Sequence, residues 1–137
     1  MAVVPEAPSS PVWLVDGFNV VSVALLRDQG RMHEREGFWR RENREALVAR
    51  ARAFDDPSAE VWIVFDGADA DGNDEHATPK TVFAPSADEW LLERVRADAT
   101  PERVTVVTAD RRLENRVRSR GARVVSPGDF LNRCGAG

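Results

Sequence analysis

The sequence predicts an α/β fold with a mostly parallel sheet covered by helices on both faces. Short apolar runs alternate with helix-forming segments, the runs end at turn or polar residues, and no heptad or internal repeat is present. Strands that alternate with helices are joined by right-handed crossovers, which place the strands parallel to one another. The 137 residues are enough for one core and too few for two.

The first half of the chain predicts two strands and two helices. In order, these elements cover 12–15, 19–27, 35–54 and 61–65. Both strands are apolar runs closed by an Asp-Gly pair, which is typical of a buried strand that enters a tight turn. The first helix is predicted despite its β-branched residues, and the second has an apolar stripe at Leu47, Ala51 and Phe54.

The second half begins with a polar, acidic loop over 68–79 and then predicts three strands and three helical segments. In order, these elements cover 81–84, 86–97, 104–108, 111–120, 122–125 and a last turn after Ser126. The first of these strands is short and suits a sheet edge. Ser86 and Glu89 form a capping box, Gly121 ends the basic helix, and Ser126 caps the last turn.

Both ends of the chain are expected to lie outside the domain. Residues 1–11 contain three prolines and predict a flexible N-terminal tail, 12–131 form the domain, and 132–137 form a C-terminal tail. The single cysteine, Cys134, allows no internal disulfide. No signal peptide or membrane span is recognisable, so we expect a soluble cytoplasmic protein.

The formal net charge of -4 hides an uneven distribution of charged residues. Basic residues cluster over 27–52 and 94–133 and all but Lys80 are arginines, whereas acids concentrate over 66–88. The preference for arginine suits phosphate binding, and genome composition explains it equally well. Net charge alone therefore neither requires nor excludes a nucleic-acid partner.

Four aspartates follow apolar runs or open helices: Asp16, Asp66, Asp88 and Asp110. Because ligands of parallel sheets bind at the carboxyl ends of the strands, we expect the four carboxylates to meet at that edge. Taken singly, each aspartate has a structural explanation as a turn residue, a helix cap or a dipole partner. Together they repel, by roughly 3 kcal/mol for two carboxylates about 5 Å apart, unless a cation neutralises them.

Oxygen ligands select a hard ion, so Mg²⁺ or Mn²⁺ is the expected cofactor and zinc is not. Such an ion lowers the pKa of bound water and holds a phosphodiester oxygen, which suits hydrolysis of a phosphate backbone. Asn19 binds phosphate, holds a metal-bound water or caps the following helix. Glu89 is either a further ligand or only part of the helix cap.

Four motifs occur in order: Asp-Gly-Phe-Asn at 16–19, Val-Phe-Asp-Gly at 64–67, Ser-Ala-Asp-Glu at 86–89 and Val-Thr-Ala-Asp at 107–110. With the segment 121–126 that follows them, the chain resembles the YacP-type NYN domains of the PIN-like ribonuclease superfamily over residues 12–131. The resemblance implies a Rossmann-like, three-layer α/β/α sandwich and Mg²⁺- or Mn²⁺-dependent endoribonuclease activity. It places the family's acids and asparagine on Asp16, Asp66, Asp88, Asp110 and Asn19. Some members of this superfamily act at ribosomes or within RNA-processing assemblies.

The leading hypothesis is a metal-dependent endoribonuclease in which the four aspartates hold one or two ions. Arg44, Arg111 and Arg112 are the predicted RNA-binding arginines, which steer the backbone without reading sequence. The alternative, from another class, is a non-catalytic RNA-binding or ribosome-associated module with the same fold. A third hypothesis is a metal-dependent phosphatase or DNA nuclease that uses the same acids.

Overall fold

Five parallel strands form the centre of the fold in the computed structural model, which describes residues 10–67 and 73–135. The strands are β1 (Val12–Asp16), β2 (Glu60–Asp66), β3 (Lys80–Ala84), β4 (Val104–Val107) and β5 (Arg123–Val125). Their order in the sheet is β3-β2-β1-β4-β5, and every pair of neighbours is parallel. The predicted α/β fold is confirmed, and β3 lies at an edge as expected.

Six α-helical segments within the described part of the chain connect and cover these strands. They are α1 (Gly17–Val20), α2 (Leu26–Asp28), α3 (Arg41–Ala51), α4 (Ala87–Ala97), α5 (Arg111–Arg118) and α6 (Pro127–Arg133). A π-helical segment, Val21–Leu25, joins α1 to α2, so the helix predicted over 19–27 is present with a wider middle turn. None of the helices in the described residues is long and apolar enough to span a membrane.

The sheet buries a hydrophobic core on each face. Alternate residues of β1 point to opposite sides, so Trp13 and Val15 belong to one core and Leu14 to the other. The first core is covered from α3 by Leu47 and from α6, and the second is covered from α4 by Leu91 and from α5. The layers are therefore α/β/α, as the resemblance implied.

The helix predicted over 35–54 is shorter than expected, because a 3-10 helix, Met32–Gly37, replaces its first turns. The backbone of Arg40 is extended, with ψ 149°, and this interrupts the helical path before α3. The buried side chain of Asn43 holds the break together: its Nδ2 donates to the carbonyl of Gly37, and its Oδ1 accepts from Arg31 Nη2. Hydrogen bonds between residues that are separated in the sequence thus outweigh the local helix propensity here.

The packed domain extends beyond residue 131, which corrects the predicted C-terminal tail. Helix α6 continues to Arg133, and Cys134 is fully buried in the first core, where burial raises the pKa of its thiol to about 11. The buried Arg50 donates to the carbonyl oxygens of Leu131 and Gly135 and so fastens this end to α3. Residues 1–9 of the predicted N-terminal tail, and 68–72 of the predicted loop, lie outside the described residues.

Candidate active site

The carboxyl edge of the sheet gathers the predicted aspartates. Asp16 is the last residue of β1 and Asp66 the last of β2, and the register pairs Asp16 with Val64, two residues before Asp66. Asp110 caps the N-terminus of α5, which follows β4, and Asp88 lies in the first turn of α4. Parallel strands and the helices that leave them thus bring these four side chains to one edge, as the sequence predicted.

Asp16 is the most perturbed of the four. It is buried at the carboxyl edge of the sheet, with only 6% of the residue exposed. Burial raises the pKa of its carboxyl to about 7; a hydrogen bond from Thr108 Oγ1 to Asp16 Oδ2, 2.9 Å long, lowers it in part. The charges of the other three aspartates raise the pKa further, so each of them lies within electrostatic reach of Asp16.

Asp88 is influenced by the same neighbours. Burial raises the pKa of its carboxyl first, and the charges of Asp110, Asp66 and Glu89 add to this effect. The nearby Arg116 acts in the opposite direction. The edge is therefore acidic on balance, and Arg116 offsets part of its negative charge.

Asp66 and Asp110 are held in place by backbone N–H groups. Asp66 Oδ1 accepts from the N–H of Ala87 at 2.9 Å, which fastens the start of α4 to the end of β2. Asp110 Oδ1 accepts from the N–H groups of Arg112 and Leu113, so its predicted capping of α5 is confirmed. These bonds fix the direction of both carboxylates before any ligand arrives.

Gly17 allows the edge to sit directly on the core. A Cβ atom at this position would stand 2.5 Å from ring carbons of Phe65 and 3.0 Å from the carbonyl oxygen of Val64. Only a residue without a side chain fits there. The glycine of the Asp-Gly pair is thus required by close packing between α1 and β2.

Asn19 lies inside α1 and does not cap it. Its Oδ1 accepts from the N–H of Ala109 at 2.8 Å, and Thr108 Oγ1 accepts from the N–H of Asp110 at 3.1 Å. Asn19 and Thr108 therefore hold the short connection between β4 and α5 that carries Asp110. Contact of Asn19 with phosphate or a metal-bound water stays a prediction.

The donor set suits a hard, hydrated cation. Among residues 10–67 and 73–135, no three Asp, Glu, His or Cys side chains stand together in a geometry that coordinates one ion. Magnesium commonly binds proteins through one or two carboxylates and keeps several waters, so it does not need such a trio. Carboxylate oxygens from neighbouring elements, in an acidic and partly buried position, fit that mode of binding.

The structure separates the three predicted RNA-binding arginines. Arg111 and Arg112 are exposed at the start of α5, directly after Asp110. Arg44 lies on α3, across the sheet, where its guanidinium carbon is 5.0 Å from the ring centroid of Phe83. Only the first two therefore lie beside the acidic edge.

Two residues near the edge were not foreseen, Thr108 and Arg116. Thr108 ends the apolar run before Asp110, and its buried side chain donates from Oγ1 to Asp16 Oδ2. Arg116 follows Arg112 by four residues, so helical spacing places both on one face of α5. The sequence signal for Thr108 is its position at the end of a predicted strand, and the signal for Arg116 is its helical spacing from Arg112.

Glu89 contributes to the helix cap through its backbone. Its N–H donates to Ser86 Oγ at 3.2 Å, which confirms Ser86 as the cap of α4. Its carboxylate is 68% exposed, and Oε1 lies 3.5 Å from Arg116 Nη1. Glu89 thus lies beside Arg116 at the rim of the acidic edge.

Comparison with known proteins agrees with this architecture. The family model described as YacP-like NYN domain matches residues 13–136. The fold is similar to the crystal structure of a tryptophan-to-leucine mutant of Rae1 (YacP) from Bacillus subtilis, with a TM-score of 0.66 and 21% identity over 90% of this chain and 73% of that chain. A comparison with curated proteins gives no match. The chain therefore belongs to the YacP-like NYN domain family, a family of nuclease-like domains.

Proposed function

We propose that the chain is a divalent-metal-dependent endoribonuclease that hydrolyses phosphodiester bonds in RNA at its acidic edge. The observation that carries this proposal is the buried carboxyl of Asp16, whose pKa is raised to about 7 beside three further aspartates. Turns and helix caps alone do not account for Asp16, because its burial among like charges destabilises the folded chain. Strongly shifted carboxyls in such a setting are typical of functional sites.

When bound at this edge, Mg²⁺ or Mn²⁺ would supply Lewis-acid chemistry, which lowers the pKa of a water and neutralises charge on a phosphodiester oxygen. Asp16, Asp66, Asp88 and Asp110 would hold one or two such ions, each through one or two carboxylates, with water as the remaining ligands. Thr108 orients the carboxylate of Asp16 through its hydroxyl. Asp16 must lose its proton to take part, so metal binding and proton release are linked.

The remaining residues place the substrate. Arg111 and Arg112 are exposed beside Asp110 and hold RNA phosphates without reading the bases. Arg116, which lies beside Glu89 at the rim, adds a third guanidinium on the same helix. Asn19 fixes the connection that carries Asp110 and positions water or phosphate.

The test compares single-stranded RNA, single-stranded DNA of the same sequence and a small phosphomonoester, each with Mg²⁺, Mn²⁺ or EDTA. We expect internal cleavage of RNA that EDTA abolishes. Asp16→Asn should lower the cleavage rate by about a hundredfold or more with RNA binding retained, since its loss removes a metal ligand. The matched control is Asp129→Asn, which changes an exposed carboxylate in the first turn of α6.

Each other outcome identifies a rival. RNA binding without cleavage under any metal contradicts an enzyme and supports a non-catalytic RNA-binding or ribosome-associated module. Cleavage of DNA or of the phosphomonoester alone supports the third hypothesis. Equal losses from Asp16→Asn and Asp129→Asn contradict the assignment of the acidic edge.

A further inference from the structure

The side chain of Arg116 crosses from α5 to the neighbouring helix α4. Its Nη1 lies 3.5 Å from Oε1 of Glu89, which belongs to the first turn of α4. Asp88 is the residue before Glu89. The guanidinium of Arg116 therefore lies between the two helices, next to the point where α4 brings one of the four aspartates to the edge.

The periodicity of α5 places Arg116 on the flank next to α4. Leu113 and Val117 are buried in the second core and fix which side of the helix faces inward. Arg112 precedes Arg116 by four residues, and the N–H of Arg112 donates to Asp110 Oδ1. Arg116 thus follows, about 6 Å further along the helix axis, on the same flank as the residue that contacts Asp110.

The charge of Arg116 acts on the acids themselves. Burial raises the pKa of the Asp88 carboxyl, and the charges of Asp110, Asp66 and Glu89 raise it further. The charge of Arg116 lowers the same pKa. An opposite charge has this effect only from nearby, so a phosphate that approaches Asp88 also comes close to a guanidinium.

The contact between Arg116 and Glu89 is weak enough to be exchanged. Their atoms are 3.5 Å apart, at the outer limit of a hydrogen bond, and the two side chains are 52% and 68% exposed. Exposed ion pairs contribute little to stability, because water competes for both charges. A phosphate offers the planar guanidinium two acceptor oxygens at once. Arg116 therefore loses little when it leaves Glu89 for a phosphate.

We propose that Arg116 is a catalytic residue, which leaves Glu89 when RNA binds and donates to the nonbridging oxygens of the phosphate that is cleaved. The inference rests on the proposed endoribonuclease function and adds a residue outside the four aspartates to the reaction. A water oxygen bonds to phosphorus while the bond from phosphorus to a ribose oxygen breaks; the water releases a proton, and the ribose oxygen takes one up. The nonbridging oxygens carry negative charge in the transition state, where preorganised N–H donors stabilise it.

The test measures RNA cleavage in three variants and a matched control. Arg116→Gln removes the charge, Arg116→Lys keeps the charge without the paired donors, and Glu89→Gln frees Arg116 from its partner. The control is Arg118→Gln. Arg118 is 57% exposed and pairs with Glu114 at 3.1 Å, so it resembles Arg116 in exposure and pairing. It lies about 200° around the helix from Arg116 and so faces away from α4.

We expect Arg116→Gln to lower kcat by about tenfold to a hundredfold and to change KM by less than about threefold, because the contact is strongest in the transition state. Arg116→Lys should have an intermediate kcat. Glu89→Gln should lower KM by about twofold to threefold, since Arg116 no longer has to leave a partner. Arg118→Gln should cleave RNA with the constants of the wild type.

The salt dependence of RNA binding in EDTA gives a second readout that needs no cleavage. Each phosphate contact with a single strand contributes about 0.7 to the slope of log K against log salt concentration, so Arg116→Gln should reduce the slope by this amount. Arg118→Gln should leave the slope unchanged. An arginine that only joined α4 to α5 would also leave it unchanged, and its loss would lower the thermal unfolding midpoint below that of Arg118→Gln.

The two proposals fail in different ways. The inference is overturned if the wild type cleaves RNA and Arg116→Gln has the kcat of Arg118→Gln, an outcome that leaves the proposed function in place. It is also overturned if Glu89→Gln lowers kcat as much as Arg116→Gln does, because the pair is then a structural link or Glu89 a ligand. A wild type that cleaves no RNA contradicts the proposed function, and the salt slope then still decides whether Arg116 contacts phosphate.

Discussion

Two buried aspartates of this domain, Asp16 and Asp98, are 6% and 9% exposed but carry opposite pKa shifts. Asp98 accepts from Arg103 Nη2 at 2.8 Å, from Arg94 Nη1 at 2.9 Å and from the N–H of Thr100. These bonds, foremost those from Arg103, hold the pKa of its carboxyl far below the usual range. At Asp16, burial instead raises the pKa to about 7.

The difference lies in what the chain supplies as compensation. Around Asp98 it supplies two guanidinium groups, so the charge contributes to the stability of the fold. Around Asp16 it supplies a hydroxyl from Thr108 and three more acids, so the charge opposes folding. The same chain thus builds both arrangements, and the second is the one that a cation from outside would complete.

The largest stability effect is expected from removing the compensated charge. Asp98→Ala leaves Arg94 and Arg103, both largely buried, without their carboxylate, and should lower the free energy of unfolding by about 3 kcal/mol. Because the folded pKa is depressed, this contribution is present above the unfolded value of about 4 and is lost as the pH falls through the folded pKa. Urea unfolding at pH 7 and pH 5 should give similar losses, and a loss below about 1 kcal/mol at both would contradict the comparison.

At the acidic edge, removing the charge of Asp16 is expected to raise the free energy of unfolding. The native carboxyl of Asp16 keeps its proton up to about pH 7, whereas the unfolded one releases it near 3.8. The folded state therefore binds more protons across this window, and wild-type stability falls as the pH rises through it. Without divalent metal, Asp16→Asn should be more stable than wild type by about 2 kcal/mol at pH 8, with a gain that shrinks towards pH 4.

The measurement for Asp16 is urea unfolding at pH 5, 6.5 and 8 in EDTA, with Asp129→Asn as the control. The Thr108 hydroxyl can still donate to the amide oxygen of the new residue, so the gain reports mainly the lost charge. A variant less stable than wild type at pH 8 would show that Asp16 is compensated like Asp98. The comparison would then no longer hold.

The smallest effect separates capping from charge at Asp110. Asp110→Asn keeps a good cap for α5 and should change the free energy of unfolding by less than about 0.5 kcal/mol, whereas Asp110→Ala should cost about 1 kcal/mol. Both should lose RNA cleavage if the carboxylate takes part in the reaction. Thermal unfolding measures the capping role, and the cleavage assay measures the role of the carboxylate in the reaction. Full activity in Asp110→Asn would show that Asp110 serves only as the cap of α5.

Much of the edge could be predicted because its signals are local. An apolar run closed by Asp-Gly is visible in the chain itself, and parallel pairing then brings Asp16 and Asp66 together. The caps by Ser86 and Asp110 also depend on a few consecutive residues, and both are confirmed. Short-range chemistry of this kind can be read directly from sequence.

What could not be predicted depends on contacts between distant segments. Asn43 interrupts the helix before α3 through bonds to Gly37 and Arg31, and nothing in the local composition indicates this. The position of Arg44 beside Phe83, and not beside the acids, depends on how α3 packs against the sheet. Asp98 likewise gives no sign in the sequence that its carboxylate is buried.

The contact between Gly17 and the Phe65 ring has a consequence for evolution and for engineering. Asp16 precedes this glycine and Asp66 follows this phenylalanine. The close packing of Gly17 against Phe65 therefore sets the distance between the two acids. A substitution that resizes the ring or the glycine will displace both carboxylates at once. At this point of the chain, a mutation that alters core packing therefore also alters the site, so selection for stability and selection for activity constrain each other.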